Sequence, residues 1–187
     1  MGKMYFYYGT MGAGKTALAI SKAHEFKNHF HEVKVCVPSI VDDKKLESRN
    51  GSSIDVNIVI DFDNLSESKI FLDKFDLENV PILIIDEAQF LTALQVQTLR
   101  KLADEKDTLV FCFGLLTDYK LNLFEGSKNL IVYANSFREI PSMCEGKNCR
   151  RKAQYNIRTS SDEGQIVLNK HFYKSLCLNC YEKKNHY

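Results

Sequence analysis

The chain has 187 residues, 44% hydrophobic and 26% charged, with a formal net charge of +1 at pH 7. This is enough for one full core and a small satellite module, since domains commonly run to about 100–150 residues, and no repeat or low-complexity tract interrupts it. Near-balanced charge argues against a protein that lives on nucleic-acid phosphates, and the longest apolar run, Val80 to Ile85, is far too short to cross a bilayer.

In chain order, Met4 to Tyr8 is a short apolar-aromatic run that predicts a first strand, followed by Gly9-Thr10-Met11-Gly12-Ala13-Gly14-Lys15-Thr16. Ala19, Ala23, Phe26 and Phe30 then recur at spacings of four, three and four, so a helix from about Lys15 to His29 carries one apolar stripe. Further strands are predicted at Val33 to Val37, Val56 to Ile60, Ile82 to Ile85 and Leu109 to Phe113, each nearly continuous in aliphatic or aromatic residues, as strands covered on both faces are. Between the last two, Leu91, Leu94, Thr98, Leu99 and Leu102 mark a helix ending near Asp104, and Asn129 to Ala134 is read as a sixth strand. Strand and helix alternate, which predicts an α/β fold: a mostly parallel sheet flanked by helices. Val41 to Ser53 and Ser160 to Gln165 are polar and read as mobile loops.

The segment after the first strand has the spacing G-x-x-x-x-G-K-T in the strand-to-helix context that defines a phosphate-binding loop. Its glycines let successive N–H groups turn inward at an anion, and the positive end of the following helix faces the same way. Lys15 can reach the outer phosphates of a nucleoside triphosphate and Thr16 can place its hydroxyl on Mg²⁺. Ile82 to Ile85 ends in Asp86-Glu87, where the first acid suits the metal and the second can take a proton from an attacking hydroxyl or water.

No export signal opens the chain, which predicts a cytoplasmic protein whose six cysteines stay reduced. Cys36 and Cys112 lie inside apolar strands and read as small core side chains. Cys144, Cys149, Cys177 and Cys180 form a C-x₄-C and a C-x₂-C pair in turn-rich surroundings, and two such turns make a closed four-thiolate cage for structural Zn²⁺. The chain is therefore divided into a nucleotide-binding unit, 1–141, and a zinc module, 142–187, too short to sustain a fold by core burial alone. The neighbouring cluster of Lys147, Arg150, Arg151 and Lys152 reads as a solvated face.

Taken together, the loop with methionine third, Asp86-Glu87-Ala88-Gln89-Phe90-Leu91, Gly114-Leu115-Leu116-Thr117-Asp118-Tyr119 through Phe124-Glu125-Gly126-Ser127, and the terminal four-cysteine module resemble the thymidine kinases of bacteria and the animal cytosol. The resemblance spans nearly the whole chain. It implies transfer of the γ-phosphoryl group of ATP to the 5′-hydroxyl of thymidine, with deoxyuridine also accepted and Glu87 as catalytic base. It further implies that Gly9 to Thr16 and Asp86, Glu87, Ala88 and Gln89 bind ATP, with Thr16 and Asp86 on magnesium. Met11, Phe90, Tyr119 and Phe124 would line a pocket for the thymine ring, and Tyr173 would lie on a lasso-like loop that the zinc module projects over the nucleoside. Such a loop can close and exclude water. The family also implies a homotetramer inhibited by thymidine triphosphate, while the charge balance and short apolar runs predict no nucleic-acid or membrane partner. Three departures stand out: Leu168-Asn169-Lys170-His171-Phe172 lacks the Gly-Gly that usually precedes the tyrosine, Leu178 stands where an arginine commonly follows the third cysteine, and the arginine common after the second strand has no clear match near Val41 to Lys44. Arg49, in Ser-Arg-Asn-Gly, does fit a familiar element. Two other readings compete for this chain: an ATPase in which Glu87 activates water, and a non-catalytic nucleotide-binding regulator.

Overall fold

The computed structural model describes residues 2–29, 32–41, 44–60, 80–159 and 173–185. Within them six strands form one parallel sheet: β1 (Lys3–Tyr8), β2 (Val33–Pro38), β5 (Ile58–Ile60), β6 (Ile82–Ile85), β7 (Leu109–Gly114) and β8 (Ser136–Glu139). Their order across the sheet is β5-β2-β6-β7-β1-β8. The Ser160 to Gln165 loop and the Leu168 to Phe172 stretch lie outside the described residues.

Each inner strand feeds two cores, because successive side chains point to opposite faces. Tyr5, Tyr7, Phe111, Phe113, Ile82, Ile84, Val33, Val35 and Val37 share one face with Ala19, Ile20 and Ala23 of α1 (Lys15–Lys27). Met4, Phe6, Leu83, Ile85, Val110 and Cys112 face the other way, onto Val96, Leu99, Leu102 and Ala103 of α2 (Ala93–Lys106) and Leu130 of α3 (Glu125–Tyr133). The β1–β7 register sets Tyr5 opposite Phe111 and Tyr7 opposite Phe113, and both pairs stack, with ring centroids 5.0 and 5.1 Å apart. Helix α2 begins at a capping box: Thr92 Oγ1 accepts from the Gln95 N–H at 3.2 Å and Gln95 Oε1 accepts from the Thr92 N–H at 2.9 Å. Cys36 and Cys112 are buried as expected; loss of solvent pushes the Cys36 thiol up to about 12 and raises that of Cys112 further.

Two expectations are corrected. Asn129 to Ala134 is not the sixth strand but the end of α3 and the residue after it, and the sixth strand is β8. Gly126, Ser127 and Leu130 are buried and Ile131 and Ala134 pack on the core, a spacing of three to four, whereas Val132 is 69% exposed. A short apolar run does not by itself separate helix from strand. The true edge strand exposes Phe137, Arg138 and Glu139 and so carries little hydrophobic signal.

The second correction concerns Val41 to Ser53. Residues 42–43 are outside the described set, but Lys45–Glu47 (β3) and Ser53–Asp55 (β4) pair antiparallel, with Leu46 and Ile54 opposite each other and buried in the α1-side core. Asn50-Gly51 sits in the turn, a dipeptide that favours hairpins. A second antiparallel ribbon, β9 (Tyr155–Arg158) with β10 (Tyr173–Leu176), is followed by α4 (Leu178–Asn185).

Candidate active site

Strands β6, β7 and β1 are neighbours, and parallel pairing brings their C-terminal ends to one edge, where ligands of open α/β sheets bind. The end of β1 runs into Gly9 to Thr16, β6 into Asp86-Glu87, and β7 into Gly114-Leu115. The loop residue Gly14 adopts φ 85° at the start of α1, and Lys15, nearly buried, donates through Nζ to the carbonyls of Thr10 at 2.8 Å and Gly9 at 3.2 Å. Thr16 donates its hydroxyl to Asp86 Oδ2 at 2.7 Å, so the two residues expected on magnesium are in contact. Burial raises the Asp86 carboxyl to about 6, the Glu87 charge beside it adds to that, and the Thr16 hydrogen bond works in the opposite direction. A divalent cation here would meet one hydroxyl and one carboxylate, hard oxygen donors of the kind Mg²⁺ takes.

Glu87 has φ 52° and ψ 34°, a left-handed conformation that a non-glycine residue adopts at a cost and that recurs at functional sites. It leads into a single 3₁₀ turn, Ala88–Phe90, which places Gln89 almost fully out of solvent. Gln89 Nε2 donates to Glu87 Oε2 at 2.7 Å while its Oε1 accepts from the Leu115 N–H at 3.0 Å. The Glu87 carboxylate is thereby tied to the end of β7. A cavity of about 260 Å³ opens between the loop residues Met11, Gly12, Gly14, Lys15 and Thr16, the hairpin turn Glu47–Asn50, Glu87 and Leu115.

The aromatic residues expected around the base fall into two pairs. Phe90 and Phe124 meet edge to face with centroids 5.6 Å apart. Tyr119 and Tyr173 are linked through Arg158, whose guanidinium lies 4.1 Å from the Tyr119 ring centroid and donates to the Tyr173 hydroxyl at 2.9 Å. Asp118 is buried and its Oδ1 accepts from the Lys120 and Asn122 amides at 2.8 and 2.9 Å, which shapes the loop that presents Tyr119. Met11 lines the cavity with Glu87; Phe90, Tyr119, Phe124 and Tyr173 are not among its walls. Arg158, Leu115 and the Glu47–Asn50 turn joined the site only in three dimensions, although Asn50-Gly51 was a readable hairpin signal.

Cys144, Cys149, Cys177 and Cys180 converge, with all four sulfurs within 4.8 Å of one another. The Cys149 and Cys177 sulfurs are 3.8 Å apart, too far for a disulfide and close to the edge of about 3.8 Å that a tetrahedron of sulfurs has around zinc at about 2.3 Å. Cys144 Sγ accepts from the backbone N–H groups of Gly146 at 3.4 Å and Cys177 at 3.2 Å. The Cys180 amide, with the neighbouring thiols, holds Cys177 down at about 7. Gly146 is required by close approach, since a Cβ there would fall 2.6 Å from Cys180 Sγ. The donor set fits a closed structural zinc site and leaves no coordination position for a substrate. Among the described residues no helix is long and apolar enough to cross a membrane.

A family model described as thymidine kinase matches residues 2–181. The thymidine kinase of Pasteurella multocida is 34% identical over 174 residues, covering 89% of this chain and 85% of its own. That of Haemophilus influenzae is 34% identical over 171 residues, with the same coverage. That of Mesorhizobium japonicum is 32% identical over 193 aligned residues, covering 98% of this chain and 93% of its own.

Proposed function

The chain belongs to the thymidine kinase family, an ATP-using phosphotransferase family, and from that premise we propose that Glu87 is the base that lets the 5′-hydroxyl of thymidine attack the γ-phosphorus of ATP. One observation carries this reading. Glu87 stands in a left-handed backbone conformation, steadied by Gln89, on the wall of the cavity that also receives the phosphate loop.

In the proposed reaction Gly9 to Thr16 cradle the phosphates with backbone N–H groups, and Lys15 exchanges its carbonyl partners for phosphate oxygens. Thr16 and Asp86 would hold Mg²⁺, which when bound neutralises charge on the phosphates. Glu87 accepts the 5′-hydroxyl proton as the new oxygen–phosphorus bond forms; the bond from the γ-phosphorus to the bridging oxygen breaks and the electron pair leaves with ADP. Ala88 and Gln89 border the nucleotide. Met11, Phe90, Tyr119, Phe124 and Tyr173 receive the base, with Phe90 on Phe124 and Tyr119 joined to Tyr173 by Arg158 as the two sides that close on it. Deoxyuridine, differing only by a methyl group, is a second substrate.

The reading divides the chain near residue 141 into a nucleotide-binding unit and a module held by structural zinc on Cys144, Cys149, Cys177 and Cys180. It carries from the family a homotetramer, inhibition by thymidine triphosphate and a cytoplasmic location, where free thiols stay reduced. The deciding experiment supplies ATP and Mg²⁺ with thymidine, deoxyuridine, deoxycytidine or deoxyguanosine in turn, beside a blank without nucleoside. Thymidine monophosphate formed preferentially supports the reading. ADP and phosphate released equally in the blank would make the protein an ATPase, and binding of ATP without turnover would make it a regulator.

A further inference from the structure

The phosphate loop is held from behind by a segment more than 130 residues away in sequence. Met11 presents two backbone polar groups, and both are taken by the β9–β10 ribbon: its N–H donates to Asn156 Oδ1 at 2.8 Å and its carbonyl accepts from Ser175 Oγ at 2.7 Å. Asn156 and Ser175 are 6% and 2% exposed. Only the amide oxygen of Asn156 can meet an N–H, so the Met11 amide dictates which way the side chain is turned. Ser175 Oγ lies 3.3 Å from Asn156 Oδ1, close enough to share its one hydroxyl proton only weakly once the Met11 carbonyl has taken it, and Thr10 Oγ1 shares a 2.5 Å hydrogen bond with Ser142.

A trans peptide directs its C=O and N–H to opposite sides, and no cis peptide occurs among the described residues. Fixing the Met11 N–H on Asn156 therefore turns the Thr10 carbonyl the other way, where it accepts from Lys15 Nζ at 2.8 Å. Fixing the Met11 carbonyl on Ser175 turns the Gly12 N–H away from β10. Gly12 lines the cavity and holds φ 77°, so without these ties the Met11–Gly12 peptide has the freedom to rotate.

We propose that Asn156 and Ser175 are positioning residues for the phosphate loop: from the cysteine ribbon they clamp both polar groups of Met11 and so orient the Thr10 carbonyl toward Lys15 and the Gly12 amide toward the bound phosphates. The proposal rests on the reading of Gly9 to Thr16 as the ATP site. It makes the ribbon part of the nucleotide site as well as a cover for the nucleoside.

The test uses the full, zinc-loaded chain and two ligands: ATP in the kinase reaction, and inorganic tripolyphosphate with Mg²⁺ by calorimetry, which reports on the loop alone. Ser175→Ala and Asn156→Ala are each expected to weaken tripolyphosphate binding and raise the KM for ATP about tenfold, the size of one lost buried hydrogen bond. The zinc content should stay unchanged and the KM for thymidine should rise less than that for ATP, Ser175→Thr should return both ATP and tripolyphosphate values to within about twofold of wild type, and Lys174→Ala, on the exposed side of β10, should have no effect. Either alanine variant folded, zinc-loaded and binding tripolyphosphate like wild type would overturn the proposal. So would a parallel loss of ATP and thymidine affinity with loss of zinc in both, which is the mark of general damage. A wild-type protein that binds tripolyphosphate but does not phosphorylate thymidine would sink the kinase reading and leave the clamp to be judged on calorimetry.

Discussion

In the parallel sheet, Phe6, Leu83, Ile84, Ile85 and Phe113 are shut completely from solvent between two layers of helices, whereas the β9–β10 ribbon and the cysteine turns beside it bury, among the described apolar side chains, only Cys144, Ala153, Ile157, Leu176 and Cys177. The first region carries its catalytic geometry on burial: the ends of β1, β6 and β7 cannot shift without disturbing a packed core. The second has too few apolar contacts to hold Asn156 and Ser175 to hydrogen-bond precision, and there four thiols at one point replace a core. On the proposed reading, chemistry sits on the rigid sheet edge, and the adjustable part of the site is delegated to a segment whose order would rest on zinc at the four cysteines.

Removing zinc tests this contrast most severely. Structural zinc contributes on the order of 10 kcal/mol to small cysteine modules, so a strong chelator should make residues 142–159 and 173–185 sensitive to protease while the helical circular dichroism of the sheet layer persists. A chelated protein whose ribbon stays protected would break the comparison. Next in size is Glu87→Gln, expected to lower phosphoryl transfer by about 10²- to 10⁴-fold with ATP binding and melting temperature unchanged. Lost ATP binding in that variant would mean that Glu87 serves structure rather than proton transfer.

Core truncations sharpen the comparison at smaller scale. Ile84→Ala should destabilise the sheet by about 2–5 kcal/mol, whereas Leu176→Ala in the zinc-loaded ribbon should cost about half as much, because the thiol cage restrains its neighbours. Equal losses by chemical denaturation would show that the ribbon depends on burial after all. Asp86→Asn moves stability by a similar amount in the opposite direction. Folding raises the Asp86 carboxyl from 3.8 to about 6, so between these values the folded protein binds more protons than the unfolded chain, and its stability falls as pH rises from about 4 to 6. At pH 7.5 the metal-free Asp86→Asn variant should melt a few degrees higher, with a gain of about 1–3 kcal/mol, and it should lose its pH slope below 6 and its activity. A lower melting temperature would mean that the Thr16 hydrogen bond outweighs the burial cost.

Much of this was legible in the chain. The strands at Val33 and Ile82 and the strand at Leu109 announced themselves because burial on both faces demands unbroken apolar runs, and the helix at Ala93 did so by its spacing. Elements with one polar side were harder. The edge strand at Ser136 has too few apolar residues to be seen, and the run at Leu130 drew the strand assignment that belonged to it. The hairpin at Lys45 hides two buried residues, Leu46 and Ile54, among charges.

Spacing alone determined the phosphate loop, the Asp86-Glu87 pair and the two cysteine pairs, because each chemistry needs its groups within a few residues on one turn or strand end. Their assembly was decided by the tertiary structure. Asn156 and Ser175 carry no motif, and nothing in the sequence marks Arg158 until β9 and β10 pair and set it between Tyr119 and Tyr173. A hydrogen bond between residues 145 positions apart in the chain, as Met11 makes with Asn156, leaves no periodicity to read, since only the packed fold brings the two together.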